Sequence, residues 1–142
     1  MSLVLHDIID KYLCLRPFPY DDRKRLDYKE LKYNYRVSMI KPTGVGVFVF
    51  GNKEIGGEIV LADGVYEEYK ICKLLNKLII PIGSTGYVAA KILNEITQEI
   101  ESYSYLEPYI SILQKETKIE TIIETVKKII SNYYKNIIDF EV

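Results

Sequence analysis

The stretch Leu78-Ile79-Ile80-Pro81-Ile82-Gly83-Ser84-Thr85-Gly86-Tyr87 decides the fold. Its continuous apolar run reads as a strand buried on both faces, as in a parallel sheet. Gly83-Ser84-Thr85-Gly86 stops that strand, and Tyr87 to about Glu101 reads as a helix. Upstream, Val45-Gly46-Val47-Phe48-Val49-Phe50 is a second β-branched and aromatic run that also predicts a strand buried on both faces. Gly51–Gly64 is polar, rich in glycine and reads as a loop. Val65 to Asn76 sets Val65, Tyr69, Cys72 and Leu75 at helical spacing.

Outward from this centre, Leu5, Ile8, Ile9 and Tyr12 mark a helical face within Leu3–Tyr12. Leu13 to Pro19 is a short extended stretch stopped by two prolines. Asp21 and Asp22 suit an N-cap for a helix over Arg23–Lys41, which Pro42 ends. Its expected inner face is Leu26, Leu31, Tyr35 and Met39. Pro108 interrupts the pattern after the Tyr87 helix. Ile119, Ile122, Ile123, Val126, Ile129, Ile130, Tyr133 and Ile137 then mark a long amphipathic C-terminal helix. The βα alternation predicts an open, mostly parallel α/β sheet in a single domain over 1–142. In such sheets ligands sit at the carboxyl ends of the strands, here Gly51–Gly64 and Gly83–Gly86.

The chain has 142 residues, 48% hydrophobic and 27% charged, which is a globular composition. Nineteen basic residues stand against twenty acidic ones, for a formal charge of −1, which argues against a nucleic-acid-binding surface. Cys14 and Cys72 have no C-x-x-C spacing and His6 is the single histidine, so neither a metal cluster nor a Ser–His or Cys–His nucleophile is expected. No apolar run is long enough for a bilayer and the N-terminus lacks the marks of a secretory signal. A cytoplasmic protein that binds neither membrane nor nucleic acid is the expectation.

Gly83-Ser84-Thr85-Gly86 opens onto a helix N-terminus, where backbone N–H groups and the dipole favour an anion. It is either a phosphate cradle or a tight βα turn with a Ser/Thr N-cap. Lys53, just past the first strand, is either a phosphate ligand or a solvated loop cation. Arg36, flanked by apolar and aromatic residues, is either a structural tie or a bidentate oxyanion clamp. Glu67 and Glu68 in a first helical turn complement the dipole, or accept hydrogen bonds from ribose hydroxyls. Together these groups suit a nucleotide-like ligand on one sheet edge.

Taken in order, Leu15-Arg16-Pro17-Phe18-Pro19, Tyr35-Arg36 with Met39-Ile40, Phe50-Gly51-Asn52-Lys53, Gly64-Val65 followed by Glu67-Glu68, and Ile80 to Tyr87 resemble the SLOG domain of the Thoeris antiphage NADase effectors. The resemblance implies a Rossmann-like, three-layer sensor of a cyclic ADP-ribose isomer made by a partner TIR protein. It also implies a sirtuin-like NADase domain elsewhere in a longer chain and no catalytic residue here. By that resemblance Arg36, Lys53 and Glu68 match ligand-contacting positions, beside Gly83, Ser84, Thr85 and Gly86. The family's first strand and glycine-rich loop have no counterpart upstream of Leu13, so the match corresponds to the C-terminal part of the domain. A sheet shortened in this way leaves an edge or apolar surface that predicts a homo-oligomer. Gly64-Val65-Tyr66-Glu67-Glu68 also keeps part of the P-G-G-x-G-T-x-E-E motif of the "lonely guy" phosphoribohydrolases. Ala62 and Asp63 stand where that motif has glycines, and Val65 where it has threonine, which weakens an N-glycosidase reading.

Overall fold

The computed structural model describes residues 27–140. The expected helix Leu3–Tyr12, the extended run to Pro19 and the Asp21/Asp22 cap lie outside these residues. The chain divides into two compact units, Met1–Pro42 and Thr43–Val142.

In the first unit, α1 spans Tyr28–Ile40 and Lys41 N donates to Val37 O in its last turn. Pro42 follows and has no N–H with which to continue the helix. The helix buries Arg36 and Ile40, four residues apart on one face. Of the expected inner face, Leu31, Tyr35 and Met39 are half-buried and Leu26 lies outside the described residues.

The second unit runs β1 (Val45–Phe48), β2 (Asn52–Ile55), β3 (Glu58–Leu61), α2 (Asp63–Leu74), β4 (Leu78–Pro81), a 3₁₀ turn (Gly83–Thr85), α3 (Tyr87–Gln98), a 3₁₀-rich segment (Ile100–Tyr109), α4 (Ile110–Lys115) and α5 (Ile119–Phe140). β1 and β4 pair in parallel, from Val45 opposite Leu78 to Phe48 opposite Pro81. That pair and its helices make the mixed α/β fold that the two apolar runs predict.

The stretch read as a loop, Gly51–Gly64, is instead mostly an antiparallel hairpin, with Asn52 opposite Leu61 and Ile55 opposite Glu58. Gly56 and Gly57 turn it with φ of 60° and 84°, the left-handed pair that a two-residue hairpin turn requires. Its last residues, Asp63 and Gly64, already belong to α2.

Every residue of β4 is buried. Over it α3 lays Val88, Ala89, Ile92, Leu93 and Ile96, the i, i+4 stripe of a helix packed on a sheet. Tyr69, Ile71 and Cys72 of α2 complete this layer, with Leu106, Leu113 and Ile129 beyond. Burying side chains of this size contributes about 1.5–3 kcal/mol each. β1 departs from expectation: Phe48 is buried, whereas Val47 and Val49 are 46% and 49% exposed. Among the described residues β1 pairs only with β4, and an apolar run alone does not separate a central strand from an outer one. Pro108 sits in the 3₁₀-rich segment, which kinks at Tyr103, and this is the interruption seen in the pattern.

Candidate functional site

The carboxyl ends of β1 and β4 are fastened into one piece. After β1 the chain turns sharply through Phe50 and Gly51, at φ 54° and 91°. Phe50 N donates to Thr85 Oγ1 at 2.7 Å, and the same hydroxyl donates to Ile82 O at 2.7 Å. Ala89 N, in the first turn of α3, donates to Phe50 O at 2.9 Å. Ala62 N donates to Gly51 O at 2.8 Å, which draws the end of β3 to the same place.

The glycines divide by role. A Cβ on Gly51 would stand 2.6 Å from Val88 Cβ, and one on Gly83 would stand 2.5 Å from Leu93 Cδ2. Both are glycine because another element presses against them. Gly86, at φ +82°, has nothing within 4 Å of a Cβ and borders open space. It is also the N-cap of α3, with no side-chain cap. The Ser/Thr cap expected here is therefore absent, since Thr85 turns its hydroxyl to Ile82 and Phe50. Ser84, Thr85 and Gly86 are half-buried, and the Ser84 hydroxyl has no hydrogen bond to a described residue.

Lys53 lies on β2 and its Nζ donates to Asp63 Oδ2 at the start of α2. That hydrogen bond, and then the lysine's charge, hold the Asp63 carboxyl below its usual range. Asp63 is 88% exposed, so the pair is held only weakly. Asp63, Tyr66, Val88 and Lys91 line a small cavity of about 80 Å³ beside the fastened loops. Lys91 Nζ stands 3.8 Å from the Tyr66 ring centroid, and the Tyr66 hydroxyl donates to Glu95 Oε1 at 2.9 Å. Sequence reasoning missed Asp63, Tyr66 and Lys91. The signal was their place within the first two turns of the two helices that follow the candidate loops.

Glu68 is half-buried on α2, one turn from Cys72. Burial pushes the Cys72 thiol up to about 11, and the Glu68 charge adds to that. Arg36 belongs to the first unit and is 9% exposed. Of the expected site residues, the second unit thus carries Lys53, Glu68 and Gly83–Gly86, the last turn being joined directly to Phe50. Among the described residues no group of three His, Cys, Asp or Glu is placed to hold a metal ion, and no helix is long and apolar enough to cross a membrane.

Two parallel strands whose carboxyl ends open into glycine turns, one leading through the hairpin to α2 and the other directly to α3, define a Rossmann-like α/β protein. The match to a family model is specific: residues 3–133 fit the Sir2- and TIR-associating SLOG family (STALD). The chain belongs to that family. It is similar to the NAD(+) hydrolase ThsA of Bacillus cereus (strain MSX-D12), 38% identical over 68% of this chain and 19% of that protein. Those of Cytobacillus dafuensis, 38% identical over 67% of this chain and 19% of that protein, and of Enterococcus faecium, 36% identical over 85% and 24%, are also similar. The chain thus spans about a fifth to a quarter of the length of these relatives.

Proposed function

We propose that this chain is a nucleotide-sensing regulatory domain of antiphage defence that binds a cyclic ADP-ribose-type signal. The observation that carries the reading is the union of the two strand ends, in which Thr85 and Ala89 grip Phe50 and leave Gly86 bordering open space. Such an edge offers backbone N–H groups and small residues to a phosphate. Within the second unit Lys53 is assigned as a phosphate contact and Glu68 as the ribose acceptor; Arg36, in the first unit, is assigned by its own motif as an oxyanion contact. The NAD hydrolysis in the relatives' names is assigned to the remainder of those longer chains, in a sirtuin-like domain. The exposed Val47, Val49, Ile55 and Ile59 support self-association in the cytoplasm, and light scattering showing a clean monomer at tens of micromolar would count against it.

Calorimetry against cyclic and linear ADP-ribose isomers tests the reading. Charge-assisted contacts contribute roughly 1.5–3 kcal/mol each, so Arg36→Ala and Lys53→Ala should each weaken binding by about tenfold or more. Arg36→Lys should cost nearly as much as Arg36→Ala if the contact is bidentate. Full affinity in an alanine variant removes that residue's assignment. Release of free base from nucleoside monophosphates would instead favour N-glycosidic cleavage at Glu67 or Glu68.

A further inference from the structure

A second cavity, of about 320 Å³, lies at the amino-terminal end of β4, where Leu78 and Ile79 line it. It shares no residue with the strand-end loops. Its walls include Tyr103, Tyr105 and Tyr133, and Lys73 and Lys77 also line it. The volume falls at the lower end of the roughly 300–1,000 Å³ typical of small-molecule pockets.

The aromatic walls are already set. Tyr105 and Tyr133 meet edge to face with centroids 5.2 Å apart, and Tyr103 lies 6.3 Å from Tyr105 at 58°. The Tyr105 hydroxyl is bound to Ile79 O at 2.9 Å, which fixes its ring. Rings held in place before binding lose little freedom when a ligand arrives, and they favour a further π-surface in offset or edge-to-face contact. Lys73 reaches Glu99 at 3.3 Å, and both side chains are largely exposed, at 43% and 60%. A pair of that kind exchanges its carboxylate for another anion at small cost. A ligand that combines a ring with an anionic group meets both the tyrosines and the lysines of the lining, whereas a neutral ring or a bare inorganic anion meets only one of the two.

We propose that this cavity binds a small planar aromatic anion, its ring among Tyr103, Tyr105 and Tyr133 and its anionic group at Lys73 and Lys77.

The test is amide NMR on the full chain, titrated with 4-hydroxybenzoate and with adenosine 5′-monophosphate, which separate a carboxylate from a phosphate source. 4-Hydroxybenzamide and adenosine serve as neutral counterparts. Saturable shifts at Ile79, Tyr105 and Tyr133 with at least one anion are expected, with the neutral counterpart at least ~10-fold weaker. The Lys73→Gln/Lys77→Gln double variant changes only partly exposed side chains. It should lose at least ~10-fold in affinity with its melting temperature unchanged. Tyr133→Leu should weaken binding as well. The proposal is overturned if neither anion gives saturable shifts by ~10 mM. It is equally overturned if the shifts fall only at Phe50–Lys53 and Gly83–Tyr87, or if the double variant binds as the native chain does.

Discussion

Tyr105 and Ile79 are hydrogen-bonded in both directions: the phenol hydroxyl donates to Ile79 O at 2.9 Å and accepts from Ile79 N at 3.2 Å. One side chain thereby satisfies a peptide group of β4 in the manner of a neighbouring strand. Burial pushes the Tyr105 hydroxyl up to about 12, so it stays protonated and able to donate at any physiological pH. Unpaired strand edges invite association, and this hydroxyl closes the one at Ile79.

Tyr105→Phe removes that hydroxyl and keeps the ring. Ile79 is 1% exposed, so its N–H and C=O would be left unsatisfied in a buried place. A loss of roughly 1–3 kcal/mol in chemical denaturation is expected, without a change in helical content by circular dichroism. A midpoint equal to that of the native chain would show that water replaces the hydroxyl at no cost.

Thr85→Val and Thr85→Ser separate shape from hydrogen bonding at the fastened loops. Valine keeps the volume but removes the link between Phe50 and Ile82, at a cost of about 1 kcal/mol or more, with weaker binding of ADP-ribose-type ligands. Serine keeps the hydroxyl and should restore most of both. Equal thermal melts for the native chain and Thr85→Val would refute the linking role.

Two glycine-to-alanine substitutions a few residues apart should behave differently. Gly83→Ala forces a methyl into Leu93 and should cost ~1–3 kcal/mol by overpacking. Gly86→Ala meets no atom within 4 Å, but φ 82° with ψ −167° is a backbone region open essentially to glycine alone, so its cost of about 1–3 kcal/mol comes from backbone strain and not from overpacking. A Gly86→Ala chain as stable as the native one would refute the strain, and its ligand affinity is the second quantity to measure, because any added methyl faces the open side.

Asp63 competes for Lys53. Replacing it by Asn removes the charge that holds the lysine, so a diphosphate ligand should bind ~2–5-fold more tightly. The sign can be checked by pH as well. The Asp63 carboxyl is held low, so its pairing with Lys53 persists above the usual carboxylate range and is lost as pH falls through the lowered value. Weaker binding in Asp63→Asn would mean that the carboxylate itself contacts the ligand.

Cys72 gives an alkaline signature. Its thiol is raised to about 11 in the fold, mainly by burial, from an ordinary value near 9.0. A raised acid contributes stability that is complete below the unfolded value and is lost as pH rises through the folded one. In a Cys14→Ser background, iodoacetamide should react slowly at pH 8 in the native state and quickly in denaturant. Stability should fall between about pH 9 and 11. Rapid native-state alkylation would place the thiol at the surface.

Sequence periodicity alone determined β4, the glycine turn after it and α1, α2, α3 and α5, because strand and helix patterns depend on neighbours a few residues apart. Residue type after the strands singles out Lys53 and Gly83–Gly86, whereas Glu68 is singled out by the resemblance of its motif to the family. The tertiary structure alone decided that the polar glycine stretch is a hairpin and that Val47 and Val49 stay exposed while Phe48 between them is buried. It alone decided that Thr85 serves Phe50 across 35 residues and that Tyr105 serves Ile79 across 26. A hydroxyl in a sequence does not declare its partner. Hydrogen bonds satisfied by distant chain exist only once packing has brought the backbone within 3 Å or so, and no local rule of spacing encodes that approach.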